Sequence, residues 1–328
     1  MSVQHIAPEP VDSIEITILA DNLFDGLLVS EGPAKRPPFG PHLLNVPTPF
    51  MEGGLVVDQP VVQHGFGALV VAIKDGRKHR VLFDTGGISK GLVENMSRMD
   101  LSPGDIEAVV LSHGHFDHTT GMDGLAQAVG RTNLPVLIHP EFWNMRRLAF
   151  PGREPFELPT TSKGALEGAG FEIVEDERPS FLLDGSLLIT GEVNRTTPFE
   201  RGMPGQQALK GGEWVPDPLI LDDQALLVNV RDKGLVILTG CGHSGIVNIV
   251  RYARKITGIS EVYAVVGGFH LGGPAFEPII PETVEALAAF DPGVLVPTHC
   301  TGFKAIHALA TRLPDAFYQS SVLTTFAL

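Results

Sequence analysis

Three histidines and one aspartate lie within the six-residue run HGHFDH at positions 113–118. The run follows the apolar residues 108–111, which predict a buried strand. Alternate side chains of an extended segment point to the same side, so His113 and His115 can converge on one metal ion. Asp117 and His118 follow as the chain turns toward a helix, where they suit a second ion. Imidazole with carboxylate favours zinc, iron or manganese over calcium or magnesium.

The elements that must position these residues are strands with further candidate ligands at their ends. Apolar runs at 235–238, 262–266 and 294–296 are each followed by a histidine within a few residues. They lead to His243, His270 and His299, respectively. We therefore expect several separate strand ends to converge on one site.

The composition excludes several classes of partner. The chain has 328 residues and 43% hydrophobic residues, enough for a large core, and we expect one domain over residues 1–328. With 24 basic and 38 acidic residues, the formal net charge of −14 disfavours nucleic acid and anionic membranes as partners. A small-molecule substrate, anionic or not, stays compatible, because bound metal ions supply local positive charge. The oligomeric state is left open.

Cysteine usage and the absence of targeting signals predict a cytoplasmic location. Only Cys241 and Cys300 occur, which excludes a disulfide scaffold and fits a reducing compartment. No apolar segment is long enough to span a bilayer, and residues 1–20 lack the basic start and apolar run of a signal peptide.

The order of patterns along the chain is typical of paired strands with helices between them. Residues 68–73 and 80–83, and residues 225–230 and 235–240, each predict a hairpin with a glycine-containing turn. The stretch at about 22–60 is irregular and rich in glycine and proline. We expect it to cover the mouth of the site and help select substrate, the alternative being a disordered insertion.

The run HGHFDH matches the H-x-H-x-D-H signature of the metallo-β-lactamase superfamily, which this sequence resembles. The resemblance implies an α/β fold, a four-layer αββα sandwich with a metal site at one edge between the sheets. The segments TGCGHSGI, GGFHL and PTHCTG, with HGFG and GEVNR, resemble one branch of that superfamily. Members of the branch are described as related to 7,8-dihydropterin-6-methyl-4-(β-D-ribofuranosyl)aminobenzene-5′-phosphate synthase. The resemblance extends over about residues 15 to 325.

The resemblance also implies roles for residues outside the histidine run. Asp84 begins a D-T-G motif whose aspartate orients the metal ligands. The G-H-x-x-G motif that usually supplies a third histidine is missing. Cys241 occupies the place of a bridging aspartate and would ligate zinc as a thiolate, and His243 could replace the missing ligand. His299 resembles the last metal-binding histidine of the superfamily.

Four further residues have open roles at this point. His64 is predicted to support the site, with an ordinary surface or core histidine as the alternative. His270 is assigned a catalytic role, either as a ligand of an atypical site or in contact with substrate. Arg195 could bind a phosphate or carboxylate through two parallel hydrogen bonds, or form a surface salt bridge. Ser244 fails the nucleophile pattern G-x-S-x-G and is expected to cap a helix that begins near Ile246.

Together these residues predict a dinuclear metallohydrolase. Two divalent ions, with zinc preferred and manganese or iron as alternatives, would activate a water that attacks an ester, lactone or phosphoester in a small molecule, with a pterin-related compound as one option. Asp117 would ligate one ion and take part in proton transfer. Two other hypotheses stay open: a mononuclear iron oxygenase on the same fold, and a non-catalytic protein that binds a metal or ligand.

Overall fold

The computed structural model describes residues 5–38, 40–130 and 133–328. Phe39, which falls in the loop predicted at about 22–60, lies outside the described residues. The strands are β1 (Ser13–Ala20), β2 (Ala34–Lys35), β3 (Leu44–Pro47), β4 (Leu55–Val57), β5 (Gly67–Lys74), β6 (Arg77–Phe83), β7 (Ala108–Val110), β8 (Leu134–Ile138), β9 (Arg146–Leu148), β10 (Phe156–Glu157), β11 (Phe171–Glu175), β12 (Ser180–Leu182), β13 (Leu187–Ile189), β14 (Gln206–Lys210), β15 (Glu213–Pro216), β16 (Ala225–Val230), β17 (Gly234–Thr239), β18 (Val262–Gly268), β19 (Val294–Thr298) and β20 (Thr325–Ala327). The α-helices are α1 (Gly91–Arg98), α2 (Phe116–Thr119), α3 (Met122–Val129), α4 (Lys163–Gly168), α5 (Ile246–Thr257), α6 (Ile280–Ala289) and α7 (Phe303–Arg312).

Two large sheets carry the site. The first has eight strands in the order β11-β8-β7-β6-β5-β1-β20-β2, and the second has six in the order β12-β13-β16-β17-β18-β19. β6, β7 and β8 are parallel neighbours in the first sheet, and β17, β18 and β19 are parallel neighbours in the second. Because the carboxyl ends of parallel strands meet at one edge, the residues that follow these strands are brought together.

Both predicted hairpins are present. β5 pairs with β6 from Ala68 opposite Phe83 to Lys74 opposite Arg77, through the two-residue turn Asp75-Gly76. Both turn residues have positive φ, 50° and 77°, as a type I′ turn requires. β16 pairs with β17 in the same antiparallel way.

Three apolar cores arrange these elements in four layers. Alternate strand residues point to opposite faces of a sheet, so Phe83 joins Val266 in the core between the two sheets. Leu82 points the other way and packs in a core with Leu92 of α1. The second sheet buries its other face against α5, α6 and α7. The α/β fold expected from the resemblance is confirmed, and the three cores agree with the expected αββα sandwich.

The remaining strands form two small sheets. β3 and β4 make a largely exposed hairpin within the stretch at 22–60. β10, β9, β14 and β15 form a four-stranded sheet, in that order, from a part of the chain without a clear periodic pattern. No helix among the described residues has the length and apolar character needed to cross a membrane.

Candidate metal centre

Three histidines from two sheets form the first donor group. His113 and His115 follow β7, and His243 follows β17. His115 Nδ1 lies 2.9 Å from His113 Nε2 and 3.2 Å from His243 Nε2. All three side chains are buried, and one ligand atom from each lies within 4.8 Å of the others. His243 therefore lies beside the two histidines of the H-x-H run. It occupies the place of the third histidine ligand that the sequence motifs lack.

Asp117, His118, Cys241 and His299 form the second donor group. His118 Nε2 lies 3.1 Å from Cys241 Sγ, and Asp117 Oδ2 lies 3.4 Å from His299 Nε2. Asp117 and His118 belong to the short helix α2, and His118 Nε2 lies 3.8 Å from Asp117 Oδ2. This group therefore joins oxygen, nitrogen and sulfur donors from three separate strand ends.

Cys241 and His243 also form a third set with His270, so the two donor groups are in direct contact. The His243 and His270 ring centroids are 4.2 Å apart. His270 and His299 have φ values of +44° and +46°, a strained conformation for residues other than glycine. Such strain persists where the surrounding structure holds the residue in place, and it is common at functional sites.

Asp84 holds one histidine of each donor group in place through hydrogen bonds. Its Oδ2 lies 2.7 Å from His118 Nδ1, and its Oδ1 accepts a hydrogen bond from Ser112 N at 2.7 Å. Ser112 Oγ donates to Asp84 Oδ2 at 2.7 Å and lies 2.9 Å from His113 Nδ1. One buried carboxylate thus orients His118 directly and His113 through a hydroxyl group.

Three supporting residues were not predicted from the sequence. The Gln206 amide nitrogen lies 3.0 Å from His115 Nε2, so its side chain influences which ring nitrogen of His115 carries the proton. Asp222 accepts a hydrogen bond from Gly114 N at 2.8 Å and forms a buried ion pair with Arg146. These contacts fix the turn between His113 and His115.

Burial and neighbouring charges shift the pKa values of the histidines in different directions. Burial, with further contributions from neighbouring charges, lowers the pKa of His115 to about 4 and holds the pKa of His113 and His243 well below the ordinary range. These imidazoles are therefore neutral near pH 7, with lone pairs able to bind a cation. Burial acts in the same direction on His118, but the charges of Asp84 and Asp117 outweigh it and raise its pKa to about 9.

The donor set fits divalent metal ions. Neutral imidazoles, a carboxylate and a thiol are the ligand types that zinc and other first-row ions bind. Burial raises the pKa of the Cys241 thiol, so deprotonation there needs a nearby cation. Either group of donors could hold an ion, and Cys241 lies close both to the other donors of the second group and to His243 of the first.

The other predicted site residues lie around this centre. His64 Nε2 is 3.7 Å from Asp117 Oδ2, and 69% of the His64 side chain is exposed. Arg195 donates to the main-chain carbonyl oxygens of His243, at 3.0 Å, and Leu219. Its guanidinium therefore stabilises the turn that contains His243.

The predicted cap at Ser244 is wrong. The N-cap position of α5 is Gly245 and has no side-chain cap, while Ser244 Oγ donates to the carbonyl oxygen of Asp223 at 3.2 Å. Glu200 does the capping instead, accepting hydrogen bonds from Val247 N at 2.8 Å and Asn248 N at 2.9 Å. A long-range carboxylate replaces the local hydroxyl because it reaches two free amides of the first turn at once.

This fold, with histidines at its parallel strand ends, defines the class: the chain belongs to the metallo-β-lactamase superfamily, whose model matches residues 65–255. It is 35% identical over 262 residues to the 7,8-dihydropterin-6-methyl-4-(β-D-ribofuranosyl)-aminobenzene-5′-phosphate synthase of Methanocaldococcus jannaschii, covering 78% of this chain and 86% of that protein. An uncharacterized protein of the same organism is 34% identical over 76% of this chain and 88% of its own length. The resemblance to this branch is confirmed.

A solved structure extends the similarity in fold to nearly the whole chain. The crystal structure of Tm1679, described as a metal-dependent hydrolase of the β-lactamase superfamily, has a TM-score of 0.69 with this structure at 21% identity. The match covers 95% of this chain and 98% of that one. At this identity the similarity concerns the fold.

Proposed function

We propose that this protein is a metal-dependent hydrolase that cleaves an ester, lactone or phosphoester bond in a small molecule. The observation that carries the proposal is the contact between two buried donor groups, one of three histidines and one of aspartate, histidine, cysteine and histidine. Two neighbouring ions would stabilise both the attacking and the leaving oxygen atoms in such a reaction. Zinc is the ion that the mixed nitrogen and sulfur donors favour, with manganese or iron as alternatives.

When bound, divalent ions would supply Lewis acidity and lower the pKa of water. The chain's own residues would hold and orient the reactants around them. Asp117 would bind one ion, and His64 stands between Asp117 Oδ2 and solvent, where it could carry protons away. Asp84 and Arg195 would act as positioning residues, Asp84 on His118 and Arg195 on the His243 turn.

The surroundings support two further expectations. Asn22, at the start of the stretch at 22–60, donates from Nδ2 to the carbonyl oxygen of His299 at 2.8 Å. This contact supports the proposal that the stretch covers the mouth of the site. Both cysteines are free, which supports the proposed cytoplasmic location.

A second candidate is group transfer between two small molecules, one of them a pterin. The observation that favours it is the 35% identity to an enzyme named as a synthase of a dihydropterin compound. The same donor groups and the same positioning residues would serve either reaction.

The test compares wild type, His115→Ala and His5→Ala, which alters a histidine outside every donor group. Metal content is measured with hydrolysis of p-nitrophenyl acetate, a six-membered lactone and bis(p-nitrophenyl) phosphate. We expect His115→Ala to lose metal and activity together, and His5→Ala to keep both. Full activity in His115→Ala would overturn the proposal. Metal binding in wild type without hydrolysis, but with turnover of a dihydropterin substrate, would favour group transfer.

A further inference from the structure

A cavity of about 650 Å³ opens beside the first donor group. His243 and His270 lie on its wall next to the metal centre, and Phe199, Phe269, Phe276 and Ile279 also line it. Its volume falls within the range of pockets that bind small organic molecules. A group placed there would contact the side of the site formed by His243.

Aromatic rings continue from the donor group into this cavity. His115 and His243 are perpendicular with centroids 5.0 Å apart, and His243 and His270 are tilted at 4.2 Å. Phe276 is perpendicular to His270 at 4.6 Å. Edge-to-face and tilted contacts leave ring faces and edges to which another flat ring can add. His270 and Phe276 are only partly buried, so part of their surface is accessible.

The charged groups that line the cavity are either occupied by hydrogen bonds or exposed to solvent. The charged side chains that line it are Glu200, Arg201 and Glu282. Glu200 is buried, and its carboxylate is occupied by Val247 N, Asn248 N and Thr197 Oγ1. Arg201 and Glu282 are exposed to solvent. An uncharged group therefore suits this cavity better than an anion.

One polar atom of a residue that lines the cavity lacks a partner in the described part of the chain. His270 Nδ1 is buried and has no hydrogen-bond partner among the described residues. His270 has a φ of +44°, and its ring lies between those of His243 and Phe276.

We propose that this cavity binds an uncharged planar aromatic ring of the substrate and that His270 and Phe276 form the contacts selecting it. The inference rests on the proposed function, because it assigns a substrate class to the same site. It gives His270 a role in substrate contact, one of the two that the sequence left open.

A second cavity provides a matched control. It has a volume of about 510 Å³ and adjoins His299 of the second donor group. Ala310 lines this cavity, as Ala275 lines the first. Alanine-to-tryptophan substitutions at these two positions therefore fill different cavities by the same chemical change. Ala275 is exposed in a turn, so Ala275→Trp leaves the apolar cores intact.

The experiment measures binding without turnover. The probe is 2-acetonaphthone, an uncharged aryl ketone that cannot be hydrolysed, and its saturated counterpart is 2-acetyldecalin. Dissociation constants are measured by NMR titration of the full-length protein as purified. We expect the aryl probe to bind about tenfold more tightly than the saturated one, as aromatic contacts of ordinary strength imply. Ala275→Trp should weaken aryl binding about tenfold or more, whereas Ala310→Trp should leave it unchanged.

Three results would overturn the inference: no binding of the aryl probe, equal binding of the two probes, or loss of binding in Ala310→Trp but not in Ala275→Trp. Phe276→Leu provides a second variant that keeps apolar volume while removing the ring, and it should also weaken aryl binding. Because no step depends on hydrolysis, aryl binding without hydrolysis of any of the three ester, lactone and phosphodiester substrates would contradict the proposed function and not this inference.

Discussion

Asp84 Oδ2 lies 2.7 Å from His118 Nδ1, and both side chains are completely buried. The contact directs the opposite ring nitrogen, Nε2, to a point 3.1 Å from Cys241 Sγ. Asp84 itself has a φ of +58°, a conformation that aspartate tolerates better than most residues. A carboxylate that follows β6 therefore sets the orientation of a donor that follows β7.

Replacing this carboxylate should weaken metal binding. In Asp84→Asn the charge that orients His118 is lost, and metal affinity should fall about 10–100-fold, the usual effect of removing such a supporting group. Competition with a chelator of known affinity measures the change. Asp184→Asn, which alters a largely exposed aspartate, is the control. Equal affinities for wild type and Asp84→Asn would contradict the assigned role.

The sulfur donor can be tested with cobalt. Protein loaded with Co²⁺ should show a sulfur-to-cobalt charge-transfer absorption. Cys241 lies with His118 in one set of possible ligands and with His243 in another. Cys241→Ser should abolish this band. Cys300→Ser should retain it, since Cys300 is the only other cysteine and belongs to neither donor group. Persistence of the band in Cys241→Ser would show that Cys241 is not a ligand.

The buried ion pairs of Arg146 should be essential for stability. Arg146 Nε lies 3.0 Å from Asp217 Oδ2, and its guanidinium also pairs with Asp222. Arg146→Met would leave buried carboxylates without their partner, which should lower the free energy of unfolding by about 3–5 kcal/mol. Urea denaturation of the metal-free protein measures this change. Arg312→Met, which removes an exposed pair with Glu285, should have no measurable effect. A comparably small effect of Arg146→Met would refute the prediction.

Glu200 should make stability depend on pH. Burial raises its pKa, and the hydrogen bonds from the first turn of α5 offset this only in part. A carboxyl with a higher pKa in the folded state contributes most to stability below its ordinary pKa of about 4.3, and this contribution is lost as pH rises through the folded value. Glutamine cannot ionise. Glu200→Gln should therefore gain stability relative to wild type as the pH rises above the ordinary glutamate pKa of about 4.3.

Denaturation of both proteins at several pH values measures that difference. Glutamine caps the helix less well than a carboxylate, so Glu200→Gln is compared with wild type by the change of the stability difference with pH and not by its size at one pH. A stability difference between the two proteins that is constant with pH, or that changes in the opposite direction, would show that burial does not raise the pKa of Glu200.

Local patterns were sufficient to predict much of the fold and the first ligands. His113, His115, Asp117 and His118 come from one strand end and one turn, so their relation is encoded within six residues. The β5–β6 hairpin was predictable for the same reason, because Asp75-Gly76 suits its turn. The four-layer arrangement followed from the superfamily resemblance, and the cores on both faces of each sheet agree with it.

The supporting residues could not be found in this way, because distant pairings bring them to the site. Gln206 lies on β14 and Arg146 lies on β9. These two strands pair with each other, with Ala208 opposite Arg146, and this pairing brings both residues to the site. Glu200 caps a helix whose first turn is 47 residues further along the chain. In an irregular segment, the local sequence around a polar residue does not indicate whether that residue is buried or exposed. Only the three-dimensional pairing distinguishes them.

The central claim is that two donor groups hold two metal ions, with His243 completing the first. Its most direct test is the number of divalent ions per chain, measured by elemental analysis of protein purified without added metal. Wild type should contain about two ions and His243→Ala about one, because the second group keeps all four of its donors. Wild type without metal, and with none taken up when zinc, manganese or iron is added, would contradict the account.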